Sequence, residues 1–215
     1  MKRVLFALAI LFGSAGSAYA QGPMLVELFA SKNCRACPAA YKTLKAVEAE
    51  RGDSVMVLTW AVDYWDYLGG KEKMALPESK DRQRGYVDRF ELRGPYTPQS
   101  VYNGLTQAPG NKPAKVGAAM MKAEMAEPVN VKVQRSGQRV VLSGQPGGLS
   151  DIWWVSYLDA DDNTTKMPNP VTSVRQLGPW LGGKAELALP ACTSGCLLIV
   201  QEAGMGRVFA AMRAD

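Results

Sequence analysis

A change of apolar rhythm along the chain limits its fold more than any single residue does. Residues 24–29 read as a short strand, and Ser31-Lys32-Asn33 as the loop leaving it. From about 37 to 51 the period is helical. Ala36, Ala40, Leu44 and Val47 recur on one side, with Lys42, Lys45 and Glu48 on the other. Pro38 suits a first helical turn and Gly52 a stop. Residues 55–62 are almost wholly apolar, as in a strand covered on both faces. A polar, aromatic loop spans 63–73. Pro77 then opens a helix to about Leu92, with Tyr86 and Phe90 on its inner side. Residues 94–98 turn the chain into a strand, 100–103. A last helix, 112–126, carries the stripe Val116, Ala119, Met120 and Ala123. This order predicts an α/β unit with helices on a partly parallel sheet.

The rhythm changes at Pro128. Val129, Val131 and Val133 alternate with Asn130, Lys132 and Gln134, as in a half-buried strand. Ser136-Gly137 is a hairpin turn into 139–142, and 152–158, 184–189, 196–201 and 207–212 read as further strands. The expected organisation is a leader at 1–20, an α/β domain at 21–127 and a small β-rich domain at 128–215, for which a sandwich is one arrangement.

The leader reading rests on three features. Lys2 and Arg3 are basic, 4–12 is apolar, and Ala18-Tyr19-Ala20 has the small-x-small cleavage pattern before Gln21. Spanning a bilayer takes roughly 20 apolar residues, more than this run supplies. The expected location is therefore periplasmic or secreted, with no membrane span after cleavage. Losing Lys2 and Arg3 from the 25 basic residues, against 20 acidic, takes the formal charge from +5 to +3. The charges are interspersed, so no basic stripe points to nucleic acid. Histidine is absent. That excludes Ser-His and Cys-His hydrolases and His-ligated metal sites, and it leaves acid–base work to carboxylates, thiols or tyrosine.

Four cysteines remain, in two close pairs: Cys34 with Cys37, and Cys192 with Cys196. Cys34-Arg35-Ala36-Cys37 lies where a strand hands over to a helix. Unpaired N–H groups and the helix dipole there favour an anion, so the Cys34 thiol should ionise below its free value of about 8.5. Lys32 and Arg35 push the same way. Cys37 can then resolve a mixed disulfide formed by Cys34. The alternatives are a local cross-link and a metal half-site. Cys192-Thr193-Ser194-Gly195-Cys196, between two strands, is either a disulfide-closed turn or a second redox pair. Glu27 sits in an otherwise apolar strand, either buried or facing water from the strand edge. The loop at Asp63, Tyr64 and Trp65 either binds an extended peptide and shields the dithiol or packs its aromatics underneath.

The strand–dithiol–helix setting resembles thioredoxin-like proteins. The resemblance implies that Thr97-Pro98 is the place of a cis-proline facing the dithiol and meeting the substrate backbone. It also implies that a buried acid beneath the second cysteine takes its proton, a role that falls to Glu27. More closely, Val26-Glu27-Leu28-Phe29-Ala30-Ser31, Val62-Asp63-Tyr64-Trp65-Asp66-Tyr67-Leu68-Gly69, Arg82-Gln83-Arg84 and Tyr96-Thr97-Pro98-Gln99 resemble the signatures of an exported bacterial family, the domain of unknown function 1223. The likeness covers 24–104 well and the β-rich remainder loosely. That family's pattern has a histidine before Val62-Asp63, where Ala61 stands here, so no role of that side chain carries over.

The fold class so implied is α/β, thioredoxin-like, followed by a β-rich unit. The leading expectation is thiol–disulfide exchange. Cys34 would attack, Cys37 resolve, Glu27 accept a proton and Pro98 contact the substrate, with Thr97, Asp63, Tyr64 and Trp65 binding it. Partners would be thiols or disulfides of exported proteins or peptides and a membrane electron donor or acceptor. No cofactor or resident metal is expected. The alternatives are copper delivery through Cys34, Cys37 and a methionine, and a non-catalytic scaffold.

Overall fold

The computed structural model describes residues 22–214. The leader read at 1–20 therefore lies outside the described residues. Among the described residues, no helix is long and apolar enough to cross a membrane.

Strands β1 (Met24–Ala30) and β2 (Val55–Ala61) run parallel, joined by helix α1 (Cys37–Arg51). Every residue of both strands is buried, which accounts for runs that are apolar apart from Glu27 and Thr59. Helix α1 stops where expected. Gly52 takes φ +52°, a region that costs glycine nothing, and its N–H donates to the Glu48 carbonyl. A short helix α2 (Asp66–Gly69) follows in the aromatic loop, then α3 (Pro77–Arg89). Strand β3 (Gln99–Tyr102) pairs antiparallel with β1, and β4 (Thr106–Pro109), not expected from sequence, pairs with β3. Helix α4 (Pro113–Glu124) buries Val116, Ala119, Met120 and Ala123, the stripe its periodicity indicated. The sheet order is β2-β1-β3-β4.

The β-rich remainder forms two further sheets. One has the order β11-β10-β7-β8, built from β7 (Ser150–Tyr157), β8 (Val171–Trp180), β10 (Gly195–Glu202) and β11 (Val208–Arg213). The other is β5-β6-β9, from β5 (Val131–Ser136), β6 (Arg139–Gly144) and β9 (Ala185–Ala188). Strand β8 escaped the sequence reading. It lies against β7 at one end of the sheet's strand order, and most of its residues keep some exposure, so it lacks apolar alternation.

Three cores separate the layers. Alternate residues of β1 point to opposite sides. Val26, Leu28 and Ala30 face a core with α1, α4, Cys34 and Cys37. Leu25 and Phe29 face a second core with Trp60 and Tyr86, where Val155, Leu197 and Ile199 of the second sheet also pack. Residues on either side of 128 thus share a buried core. The third core lies between the two C-terminal sheets and contains Cys196, Leu198 and Val200. Burying apolar surface at about 25 cal/mol per Å² is what holds such layers together.

Candidate functional site

Cys34 and Cys37 are joined by a disulfide just ahead of α1. Cys37 is the first helical residue and its N–H donates to the Cys34 carbonyl at 3.1 Å. The two sulfurs are not equivalent in reach: Cys34 retains 5% of its surface, Cys37 none. The start of α1 has no side-chain cap and no acidic residue in its first turn. Its free N–H groups are therefore available to an anion, and Cys34 is the residue placed to supply one.

The dithiol loop is held from below. Ser31 is fully buried; its carbonyl accepts the Cys34 N–H at 3.1 Å and its hydroxyl the Asn33 N–H at 3.2 Å. A carboxylate from forty residues away completes the loop. Glu72 Oε2 accepts the Lys32 N–H at 2.6 Å and the Ser31 hydroxyl at 3.4 Å, and Oε1 accepts the Met74 N–H at 3.3 Å. Glu72 is itself buried between the exposed Lys71 and Lys73. Asn33 Nδ2 also donates to the Gly70 carbonyl at 2.7 Å, tying the end of α2 to the loop. Tyr41, one turn along α1 from Cys37, packs in the same core as both cysteines. Burial pushes its hydroxyl well above the usual tyrosine range, and the charge on Glu72 adds to this.

The Thr97–Pro98 peptide bond is cis, at the position where the family resemblance places such a bond. Because Gln99 pairs with Phe29, Pro98 lies beside the end of β1, at the base of the dithiol loop. Its carbonyl accepts the Gly110 N–H at 3.0 Å. A side chain at Gly110 would meet Ala40 of α1 and Leu28 of β1 at 3.2 Å each, so this strand end packs tightly against the dithiol helix.

The aromatic loop divides its labour. Trp65 packs on the dithiol core, and its indole N–H donates to the Thr97 hydroxyl at 2.7 Å. Tyr64 packs on the other core, and burial raises its hydroxyl pKa. Asp63 pairs with Lys80 at 3.1 Å. Tyr67 and Leu68 instead face solvent, 75% and 59% exposed.

Glu27 requires a correction. It is buried, but on the face of β1 opposite Cys34 and Cys37, where Arg82 and Tyr86 of α3 meet it. Arg82 engages both carboxylate oxygens, Nε on Oε2 and Nη2 on Oε1 at 3.0 Å. The Tyr86 hydroxyl donates to Oε1. Gln201 of β10 accepts from Arg82 at 2.8 Å and donates to Tyr86 at 3.0 Å. Both carboxylate oxygens are engaged and the sheet intervenes, so Glu27 is not positioned to take a proton from Cys37. Sequence reasoning missed Glu72, since Lys71-Glu72-Lys73 reads as a solvated charge run.

Cys192 and Cys196 form the second disulfide. It belongs to the core between the C-terminal sheets, whereas the dithiol belongs to the core under α1 and α4. The fold does not bring the two pairs together.

A family profile described as "Protein of unknown function (DUF1223)" matches residues 25–195. No curated protein matches the chain. Among solved structures, the chain is similar to a crystal structure of a protein from Agrobacterium tumefaciens. The identity is 27%, the TM-score 0.72, and the match covers 93% of this chain and 95% of that one.

Proposed function

The chain belongs to the DUF1223 family of proteins of unknown function, and on that footing we propose from its own geometry that it exchanges thiols and disulfides. The observation that carries this is the asymmetric dithiol. Cys34 keeps the little exposure the pair has, 5%, and stands before an uncapped helix start, while Cys37 is fully buried one turn behind it. Reduced Cys34, as thiolate, attacks one sulfur of a substrate disulfide. That bond breaks, one substrate thiolate leaves, and a mixed disulfide with Cys34 remains. Cys37, deprotonated, then attacks the Cys34 sulfur, closing the Cys34–Cys37 disulfide and releasing the second substrate thiolate. The substrate gains two electrons and the dithiol loses them. A dithiol donor restores the reduced form, and running the steps backwards oxidises a substrate. In this scheme the substrate backbone is met by Thr97 and Pro98, whose bond is cis, and the Trp65 indole N–H donates to the Thr97 hydroxyl. The substrates are exported proteins or peptides, met after the leader at 1–20 is removed, with a membrane protein as electron donor or acceptor.

Insulin reduction by dithiothreitol tests the reading. The protein should accelerate precipitation of the insulin B chain, and Cys34→Ser should abolish the acceleration. A wild-type protein that adds nothing to the rate of dithiothreitol alone refutes it. A second reading, carriage of Cu(I), has one observation behind it: Met74 packs against the same core that holds both cysteines, and thioether and thiolate are the ligands Cu(I) prefers. It requires stoichiometric Cu(I) uptake by the reduced protein, lost in Cys34→Ser.

A further inference from the structure

The exposed charges of the dithiol loop and of 71–73 are all cationic. Lys32 and Arg35 flank the cysteine in the loop, and both are exposed. Lys71 and Lys73 are exposed as well. Their stretch of chain is held at the dithiol loop because Glu72, between them, accepts the Lys32 N–H and the Ser31 hydroxyl. With its middle residue turned inward, the Lys71-Glu72-Lys73 segment is left with both lysines outside. None of these four cations forms an ion pair among the described residues, although seven such pairs occur elsewhere. The acids nearby are already engaged. Glu72 is buried, Asp66 accepts the Glu72 N–H at 2.9 Å, and Asp63 is neutralised by Lys80. Beside this cationic rim stand Tyr67 and Leu68, the two exposed apolar side chains of α2, which Asn33 ties to the dithiol loop through Gly70.

Resting on the exchange reading above, we propose that the substrates are extended polypeptide segments whose disulfide-bonded cysteine is flanked by acidic residues and a large apolar side chain. Two physical effects support acidic flanks. Unpaired cations within a Debye length, about 8 Å at 0.15 M salt, raise the local concentration of anionic partners and speed their approach. The same cations favour the thiolate of Cys34, so a substrate that brings negative charge encounters the nucleophile in its reactive form. Tyr67 and Leu68 give the apolar flank somewhere to lose its hydration, and a tyrosine ring supplies that area at little entropic cost.

The test uses the reduced full-length protein and three peptides. Each carries one cysteine as a mixed disulfide with cysteamine and one leucine, and they differ only in having Glu, Gln or Lys on both sides of the cysteine. Expected at low salt is a second-order rate for the Glu peptide at least tenfold above that for the Lys peptide, with the Gln peptide between them. Raising the ionic strength to about 1 M, where the Debye length is about 3 Å, should collapse the difference. Combining Lys71→Glu with Lys73→Glu should erase or invert the order. Equal rates at low salt, or a faster Lys peptide, overturn the substrate assignment while leaving exchange intact. Should the charge-reversed variant not fold, the salt dependence of the wild type decides alone. If the Gln peptide is reduced no faster than by free dithiothreitol, exchange itself fails, and the substrate assignment with it.

Discussion

Replacing Glu27 with Gln should damage stability and leave the redox chemistry untouched. Arg82 is buried, and Glu27 is its only anionic partner among the described residues. Its guanidinium also lies 4.9 Å from the centre of the Trp60 ring and 5.9 Å from that of Trp153. An amide at position 27 keeps one oxygen for hydrogen bonding but removes the counter-charge, stranding a cation in the shared core. Breaking a buried pair from one side costs about 3–5 kcal/mol. For a chain of this size each kcal/mol is worth roughly 2–4 °C, so the melting temperature should fall by roughly 6–20 °C. Tyr86 adds to the loss. Burial and the adjacent carboxylate hold its hydroxyl protonated far above the usual range, so its proton has no anion to serve once Glu27 is gone. Replacing Glu27 and Arg82 together with Met should recover most of the stability, because a buried pair is often no better than packed apolar side chains. Thermal unfolding of the oxidised protein measures the cost. Equilibration with glutathione at 25 °C, where the variant is still folded, measures the potential. A Glu27→Gln protein that melts like the wild type, or whose Cys34–Cys37 potential moves by 30 mV or more (tenfold in equilibrium constant), would refute the separation of the two faces of β1.

Glu72→Gln should behave in the opposite way: the amide oxygen can still accept the Lys32 N–H, but the negative charge under the dithiol loop is gone. The Cys34 thiolate then gains stability relative to the disulfide, so the potential should become less negative by roughly 10–30 mV in glutathione equilibration. Removing the second disulfide with Cys192→Ala and Cys196→Ala opens a five-residue loop and should cost about 2 kcal/mol by the chain-entropy estimate, read from urea unfolding, with insulin reduction unchanged. Glu48 gives a pH signature. Burial raises its pKa in the folded protein above the unfolded value, so its contribution to stability is fully present below the unfolded value, about 4.3, and is lost as pH rises through the folded one. Glu48→Gln, still able to accept the Val57 N–H, should therefore be at least as stable as wild type at pH 7, with its advantage vanishing by pH 4 in denaturant titrations.

The coordinates of the similar Agrobacterium tumefaciens protein offer a direct check, by whether a buried carboxylate stands where Glu72 does here.

Local pattern determined much of this protein. The runs of β1, α1, β2 and α4, the hairpin at Ser136-Gly137 and the placing of Cys34 and Cys37 at a helix start all follow from periodicity and turn chemistry, which act over a few residues. The period of two along β1 puts Glu27 on one face with Leu25 and Phe29. Which face the dithiol helix would cover was beyond it, because both sides of β1 are buried and the one charge, Glu27, suits either a proton acceptor under the dithiol or a buried ion pair away from it. The same holds for Glu72. Its meaning depends on the backbone N–H of Lys32, forty residues away, and a charge between two lysines looks solvated until the fold folds it under. Strand β8 had no readable rhythm, since its partner β7 and not its own side chains gives it its form. Residues in sequence order decide which elements can exist; the packing of one face against another decides which of their polar groups become chemistry and which become structure.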